Sequence, residues 1–271
     1  MSDPSAIDAS AAAGLGALQG VAEFLPISSS GHLAIGSAWL GIEAEAGGHT
    51  LSVILHAGTL LAVLLHYRRE LFEIVRGFFA NDDGGKARAW VAAIFVGTLP
   101  LVLALVPAVK DAIVSVEGNV RAVGIALLLT SGALFFSHRK DAPEEPADLA
   151  PPLKFAILIG LAQLMAITPG ISRSGSTIAA ALALGMGRAR AAQFSFLLSI
   201  PAICGATLDE VRHFGEVAVD PSALAIGFVV SFGVGILSLG ALLRVITRVG
   251  MLPFVPYLLV VGGAAVALGG S

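Results

Sequence analysis

Apolar runs of membrane-spanning length dominate this chain and decide what it can fold into. A helix needs about 20 apolar residues to cross the hydrocarbon core of a bilayer. Six segments approach that length: 49–67, 87–108, 119–137, 190–208, 221–244 and 253–270. Composition agrees. Of the 271 residues, 13% are charged and 56% hydrophobic, against roughly 25% charged in a typical soluble chain, and the mean hydropathy is +0.88. Too little polar surface is left to cover a water-soluble globule, so an all-α polytopic membrane protein is the expected class. The single cysteine, Cys204, has no partner for an intrachain disulfide. A net charge of −3 with no basic block gives nucleic acid no electrostatic foothold. Asp3 and Asp8 stand where a cleavable signal peptide carries basic residues, so none is expected.

Two further apolar stretches, roughly 5–40 and 154–186, are interrupted in the middle by polar residues, Gly and Pro. The interruptions read Glu23-Phe-Leu-Pro-Ile-Ser-Ser-Ser-Gly-His32 and Thr168-Pro-Gly-Ile-Ser-Arg-Ser-Gly-Ser-Thr177. Their flanks suit half-spans, which predicts two re-entrant helical hairpins with the broken tips inside the protein. At an offset of 144 residues, Gln19 falls on Gln163, Ile27 on Ile171, Ser28 on Ser172, Ser30 on Ser174 and Gly31 on Gly175. The spacing predicts a single membrane domain, 1–271, of two copies: repeat one 1–140, a linker 141–152, and repeat two 153–271. Each copy holds one hairpin and three spans. Three is odd, so the second copy enters from the opposite side, which makes an inverted-topology repeat of six transmembrane helices and two hairpins.

Loop charges give the orientation. One face collects Arg68, Arg69, Arg76, Lys86, Arg88, Arg139, Lys140, Lys154, Arg188, Arg190, Arg244 and Arg248, which is 12 of the 16 Lys and Arg residues. Lys110, Arg121 and Arg212 lie opposite, and Arg173 sits inside the second hairpin. The rich face is expected to be cytoplasmic, with both termini outside.

Ionisable groups at membrane depth are costly and point to function. The hairpins supply Glu23, His32 and Arg173. Gln19 and Glu23 are four apart and share a helix face. Ser28, Ser29 and Ser30 sit at the first break, where half-helix N–H groups attract an anion. Ser172, Ser174, Ser176 and Thr177 surround Arg173, and a guanidinium among hydroxyls is suited to gripping a phosphate. Together these types suggest phosphate-ester or anhydride chemistry. Plainer roles compete at each position. Ser30 and Ser176 serve equally well as caps, Glu23 and Arg173 as a buried structural ion pair, and His56 as packing or as support for the site. Inverted repeats by themselves would favour a secondary transporter or lipid flippase. Ser29 lies three residues before His32, so a helical turn would set hydroxyl beside imidazole; attack by water or by His32 itself is the competing route.

Gln19-Gly-Val-Ala-Glu23-Phe-Leu-Pro-Ile-Ser-Ser-Ser-Gly-His32 and Pro169-Gly-Ile-Ser-Arg-Ser-Gly-Ser-Thr177 closely resemble the two signature motifs of the undecaprenyl-diphosphate phosphatase (bacitracin-resistance) family. The likeness extends over the chain in length, span count and motif order. It implies hydrolysis of undecaprenyl diphosphate to undecaprenyl phosphate and inorganic phosphate, recycling the cell-wall lipid carrier. It also implies a multi-pass protein of the bacterial plasma (inner) membrane, an outward-facing site, a lipid substrate within membrane lipid, and a divalent metal, Mg2+ or Ca2+; a homodimer is one assembly it allows. Carried over by position, the resemblance implies catalytic roles for Glu23, Ser29, His32 and Arg173, substrate contacts at Gln19, Ser28, Ser172, Ser174 and Thr177, and a metal on Glu23. The family accepts Glu or Gln at the position of Gln19. Gln adds no charge, so a metal here rests on Glu23 and the substrate's phosphates, as Mg2+ commonly does.

Overall fold

A computed structural model describes residues 8–33, 48–80, 85–117, 119–137, 149–210 and 220–269. The second limb of the first hairpin beyond residue 33, residues 141–148 of the expected linker, and the N-terminal residues before Asp8 lie outside them. Among the described residues the protein is helical throughout, with no strand. The helices are α1 (Ala9–Ala22), α2 (Gly48–His66), α3 (Arg68–Ala80), α4 (Lys86–Thr98), α5 (Pro107–Glu117), α6 (Val120–Ser137), α7 (Leu153–Met165), α8 (Arg173–Ala183), α9 (Arg188–Glu210), α10 (Pro221–Val249) and α11 (Val255–Leu268).

Among the described residues four stretches are long and apolar enough to cross a membrane: Lys86–Leu105, Val120–Ser137, Arg188–Leu208 and Pro221–Val249. The first is α4 continued by a 3-10 segment, Leu99–Leu105. Pro100, with no N–H to donate, sits where the helix type changes. A fifth crossing would be α2 joined to α3, bent by 72° at Tyr67. The sixth expected span, 253–270, is a shorter apolar helix here, Leu252–Ala267. The protein is therefore a multi-pass helical membrane protein, with four to five candidate crossings by length among the described residues. One expectation fails: residues 68–80, read as loop between spans, form the amphipathic helix α3.

Both interrupted stretches are helix–break–helix. α1 ends at Ala22, the chain turns over 23–28, and a helical turn follows at 29–33. α7 ends at Met165 and α8 begins at Arg173. At 14, 13 and 11 residues, α1, α7 and α8 are too short to cross about 30 Å of hydrocarbon at 1.5 Å per residue. The starts of α1 and α8 are capped by side chains. Asp8 accepts from Ala11 N at 2.7 Å, and Ser172 from Gly175 N at 3.1 Å. At the start of α10, Asp220 accepts from Ser222 through side chain (2.7 Å) and backbone (2.9 Å), which holds its carboxyl below the usual range.

Without a hydrophobic drive between helices in lipid, small residues set the contacts. α1 runs along α10, α7 along α4, and α6 along α11. A Cβ on Gly20 would stand 2.9 Å from the Ser231 carbonyl oxygen, and one on Gly160 only 2.2 Å from that of Gly97. These backbone approaches admit glycine alone. The apolar core between them includes Phe24, Phe194, Phe196, Leu127 and Ile178, all fully buried.

Candidate active site

The two breaks meet. Ser28, at φ 73°, is the one non-glycine in the left-handed region among the described residues, a conformation that costs of order 1 kcal/mol and persists only where surroundings enforce it. Its hydroxyl accepts from Gly170 N of the second break at 3.2 Å. Gly170 itself has φ 92°, and a Cβ there would lie 2.5 Å from the Val123 carbonyl oxygen. Ser174 donates back to the Leu25 carbonyl at 3.3 Å. Thr130 of α6 fixes the second break, donating to Gly170 O and accepting from Ser172 N, both at 3.2 Å. Ser172 and Ser174 are 3.3 Å apart through their hydroxyls. Thr177 bonds the Arg173 carbonyl at 2.8 Å and the Ser195 hydroxyl of α9 at 2.5 Å.

Glu23, the C-cap of α1, stands at the centre. Its Oε1 pairs with Arg173 Nη2. Its Oε2 accepts from Gln19 Nε2 at 3.2 Å and from Ser29 Oγ at 2.7 Å. The carboxylate is buried and the guanidinium nearly so. His56, on α2, lies within electrostatic range of Glu23 and bonds the Ser52 carbonyl through Nδ1 at 2.9 Å.

Ser29 therefore faces Glu23 and not His32, against the expectation drawn from their spacing. The imidazole is engaged elsewhere. A carbonyl only accepts, so the 2.8 Å contact of His32 Nδ1 with Ser28 O makes Nδ1 the donor. In the neutral ring Nε2 then accepts from Tyr257 Oη, 2.7 Å away. The two rings lie 5.7 Å apart and 15° from parallel. Sequence reasoning missed Tyr257 on α11, 225 positions from His32. It also missed Thr130 and Ser195, which read as ordinary residues of apolar spans; a hydroxyl among apolar neighbours was the only local signal.

Two buried polar atoms in this site have no partner: Arg173 Nη1 and Gln19 Oε1. Unmatched buried groups are rare and call for an explanation. The first is a charged donor and fits an anionic oxygen. The second is an amide acceptor and fits a cation or an O–H. Three or more His, Cys, Asp or Glu side chains do not cluster anywhere among the described residues. Gln19 Oε1 and Glu23 are nonetheless adjacent hard oxygen donors, and Mg2+ and Ca2+ take such oxygens with phosphate and water completing the shell.

Fold and site thus define a class: an α-helical multi-pass membrane protein with a buried arginine–carboxylate–hydroxyl site where two helix breaks meet. The sequence profile of the bacitracin resistance protein BacA family matches residues 12–264, and the chain belongs to that family. Curated relatives include undecaprenyl-diphosphatases of Methanosphaera stadtmanae, 38% identical over 92% of this chain and 93% of the relative, and of Alcanivorax borkumensis, 40% identical over 92% and 95%. Undecaprenyl-diphosphatase 2 of Stutzerimonas stutzeri is 38% identical over 94% and 96%.

Proposed function

We propose that this chain hydrolyses undecaprenyl diphosphate to undecaprenyl phosphate and inorganic phosphate. The observation that carries the reading is the unpartnered Arg173 Nη1, a buried guanidinium edge at the N-terminus of α8, whose Nη2 shares the Glu23 carboxylate with Ser29. Such an edge is complementary to a phosphoryl oxygen, and charge stabilisation is the main demand of phosphoryl transfer. The names of the relatives favour hydrolysis over transport.

Ser29 Oγ, already donating to Glu23, attacks the terminal phosphorus as its proton passes to the carboxylate. The bond from phosphorus to the bridging oxygen breaks, and undecaprenyl phosphate leaves with the electron pair. Water then hydrolyses the phosphoserine. Ser29 regains the proton from Glu23, and the proton lost by water passes to His32 or to the phosphate. Arg173 holds the phosphoryl oxygens through both steps. His32, oriented by Ser28 O through Nδ1, serves as proton acceptor at Nε2 once the Tyr257 hydroxyl turns away from it. Gln19 Oε1 and Glu23 would hold a divalent metal, which when bound supplies further positive charge against the diphosphate.

The same reading includes the architecture. The exchange of partners supports an inverted repeat: α1 of the first copy runs along α10 of the second, and α7 of the second along α4 of the first. Short α1, α7 and α8 around polar breaks support two re-entrant hairpins in one membrane domain. The arginine-rich face supports an inner-membrane protein with an outward site. In the test, purified protein in detergent releases phosphate from undecaprenyl diphosphate, and Arg173→Ala does not. Absence of release by the wild type, or unaltered release by the variant, would overturn the reading.

A further inference from the structure

The corner between α2 and α3 plays no part in the hydrolytic chemistry. α2 ends at His66, and α3 leaves it at 72°. A span near the membrane normal that turns so far sends the next helix close to the membrane plane. Leu61 and Leu65, in the last two turns of α2, are exposed apolar side chains, as expected of a span that meets lipid. Arg68 marks where that span stops. Its guanidinium donates to the Leu65 carbonyl at 2.8 Å, which caps the negative end of α2.

α3 has two unlike sides. On the inner side Leu71 and Ile74 pack against the core, while Glu70, Glu73 and Arg76 line a cavity of about 810 Å³ between α3, α4 and the ends of α9 and α10. The outer side shows Phe72, Val75 and Phe79, which are 66%, 56% and 80% exposed. Arg68 and Arg69 are exposed as well. Both carboxylates of α3 thus turn to the cavity, and the outer side carries apolar side chains and cations alone. That is the make-up of a helix lying in a membrane interface. The charge continues at the same end of the molecule. Arg244 and Arg248 of α10 are exposed, next in sequence to Leu243 and Thr247, which line the cavity too. Clustered arginines at an interface favour negatively charged headgroups.

We propose that the outer side of α3 lies in the membrane interface and docks on anionic phospholipid. Phe72, Val75 and Phe79 enter the acyl region, and Arg68 and Arg69 meet the headgroup phosphates. The occupant is lipid because the apolar stripe carries the exposed surface of α2 around the corner, and it is anionic because no carboxylate shares that side of the helix.

Two measurements on the full chain test this. In bilayers, spin labels are attached to Phe72→Cys, Phe79→Cys or Glu73→Cys in a Cys204→Ala background. Oxygen, which concentrates among acyl chains, should relax the labels at 72 and 79 at least threefold more than a water-soluble nickel chelate does, and the order should reverse at 73. Chelate access at 72 and 79 equal to or above that of oxygen would place the helix in water and overturn the proposal. In native mass spectrometry with phosphatidylglycerol and phosphatidylcholine of identical chains, phosphatidylglycerol should be retained at least threefold better. Arg68→Gln with Arg69→Gln should at least halve that preference at an unchanged melting temperature, whereas Arg121→Gln, on the face expected to be opposite, should leave it intact. Equal retention of the two lipids, or a preference that survives the double variant, would equally overturn the proposal.

Discussion

Replacing Arg173 by Lys keeps the charge and removes the fork, and so tests what the unpartnered nitrogen is for. In the wild type Nη2 is committed to Glu23 while Nη1 is buried with no partner. A lysine ammonium on a flexible stem can satisfy Glu23 but lacks the second, rigidly oriented edge. The loss is one charge-assisted hydrogen bond to the phosphoryl group, about 1.5–3 kcal/mol, or a roughly 10- to 150-fold drop in kcat/KM at about 1.4 kcal/mol per decade. Initial rates of phosphate release across a substrate series give that ratio. Thermal unfolding supplies the control: the retained Lys–Glu pair should hold Tm near wild type, whereas Arg173→Ala leaves Glu23 as a buried unpaired charge and should cost about 3–5 kcal/mol. A lysine variant within threefold of wild type in kcat/KM, and equally stable, would refute the assignment of Nη1 to the phosphate.

Ser29→Ala should lower kcat by at least two orders of magnitude, roughly the scale seen when a nucleophile is removed; a tenth of the wild-type rate or more would instead leave water or His32 as the attacking group. Tyr257→Phe removes one neutral hydrogen bond, worth about 0.5–1.5 kcal/mol, and should slow kcat by roughly 2- to 12-fold with KM unchanged; an unaltered kcat would make Tyr257 mere packing. Chelation of divalent metal should abolish phosphate release and Mg2+ or Ca2+ should restore it, with Gln19→Glu lowering the concentration needed; full activity in chelator would contradict the oxygen site at Gln19 and Glu23. Gly160→Ala puts a Cβ 2.2 Å from the Gly97 carbonyl and should depress Tm by several degrees, the consequence of about 1–3 kcal/mol of overpacking; an unshifted melting curve would show that α4 and α7 separate freely.

The helices and both breaks were legible in the sequence because they are local. A run of apolar residues, a Pro beside serines, or Asp before a helix start acts through neighbours a few positions away. The charged set Glu23, His32 and Arg173 was legible too, since ionisable side chains are conspicuous among apolar ones. Helical spacing failed on pairing. It set Ser29 beside His32, but Ser28 adopts a left-handed backbone that re-aims both side chains, so Ser29 turns to Glu23 and His32 to Tyr257. Charge counting likewise took 68–80 for a loop, because the stripe of Phe72, Val75 and Phe79 shows only once the segment is known to be a helix.

Residue order alone dictates that this chain lives in lipid, where its helices break, and which rare charged groups must find partners there. Who those partners are is settled by how the helices pack. Close glycine contacts, Gly20 on Ser231 and Gly160 on Gly97, set the positions of α1 and α7. That brings together residues 150 and 225 positions apart. It also leaves Arg173 Nη1 and Gln19 Oε1 buried without partners, because satisfaction of a buried polar atom is a property of everything packed around it.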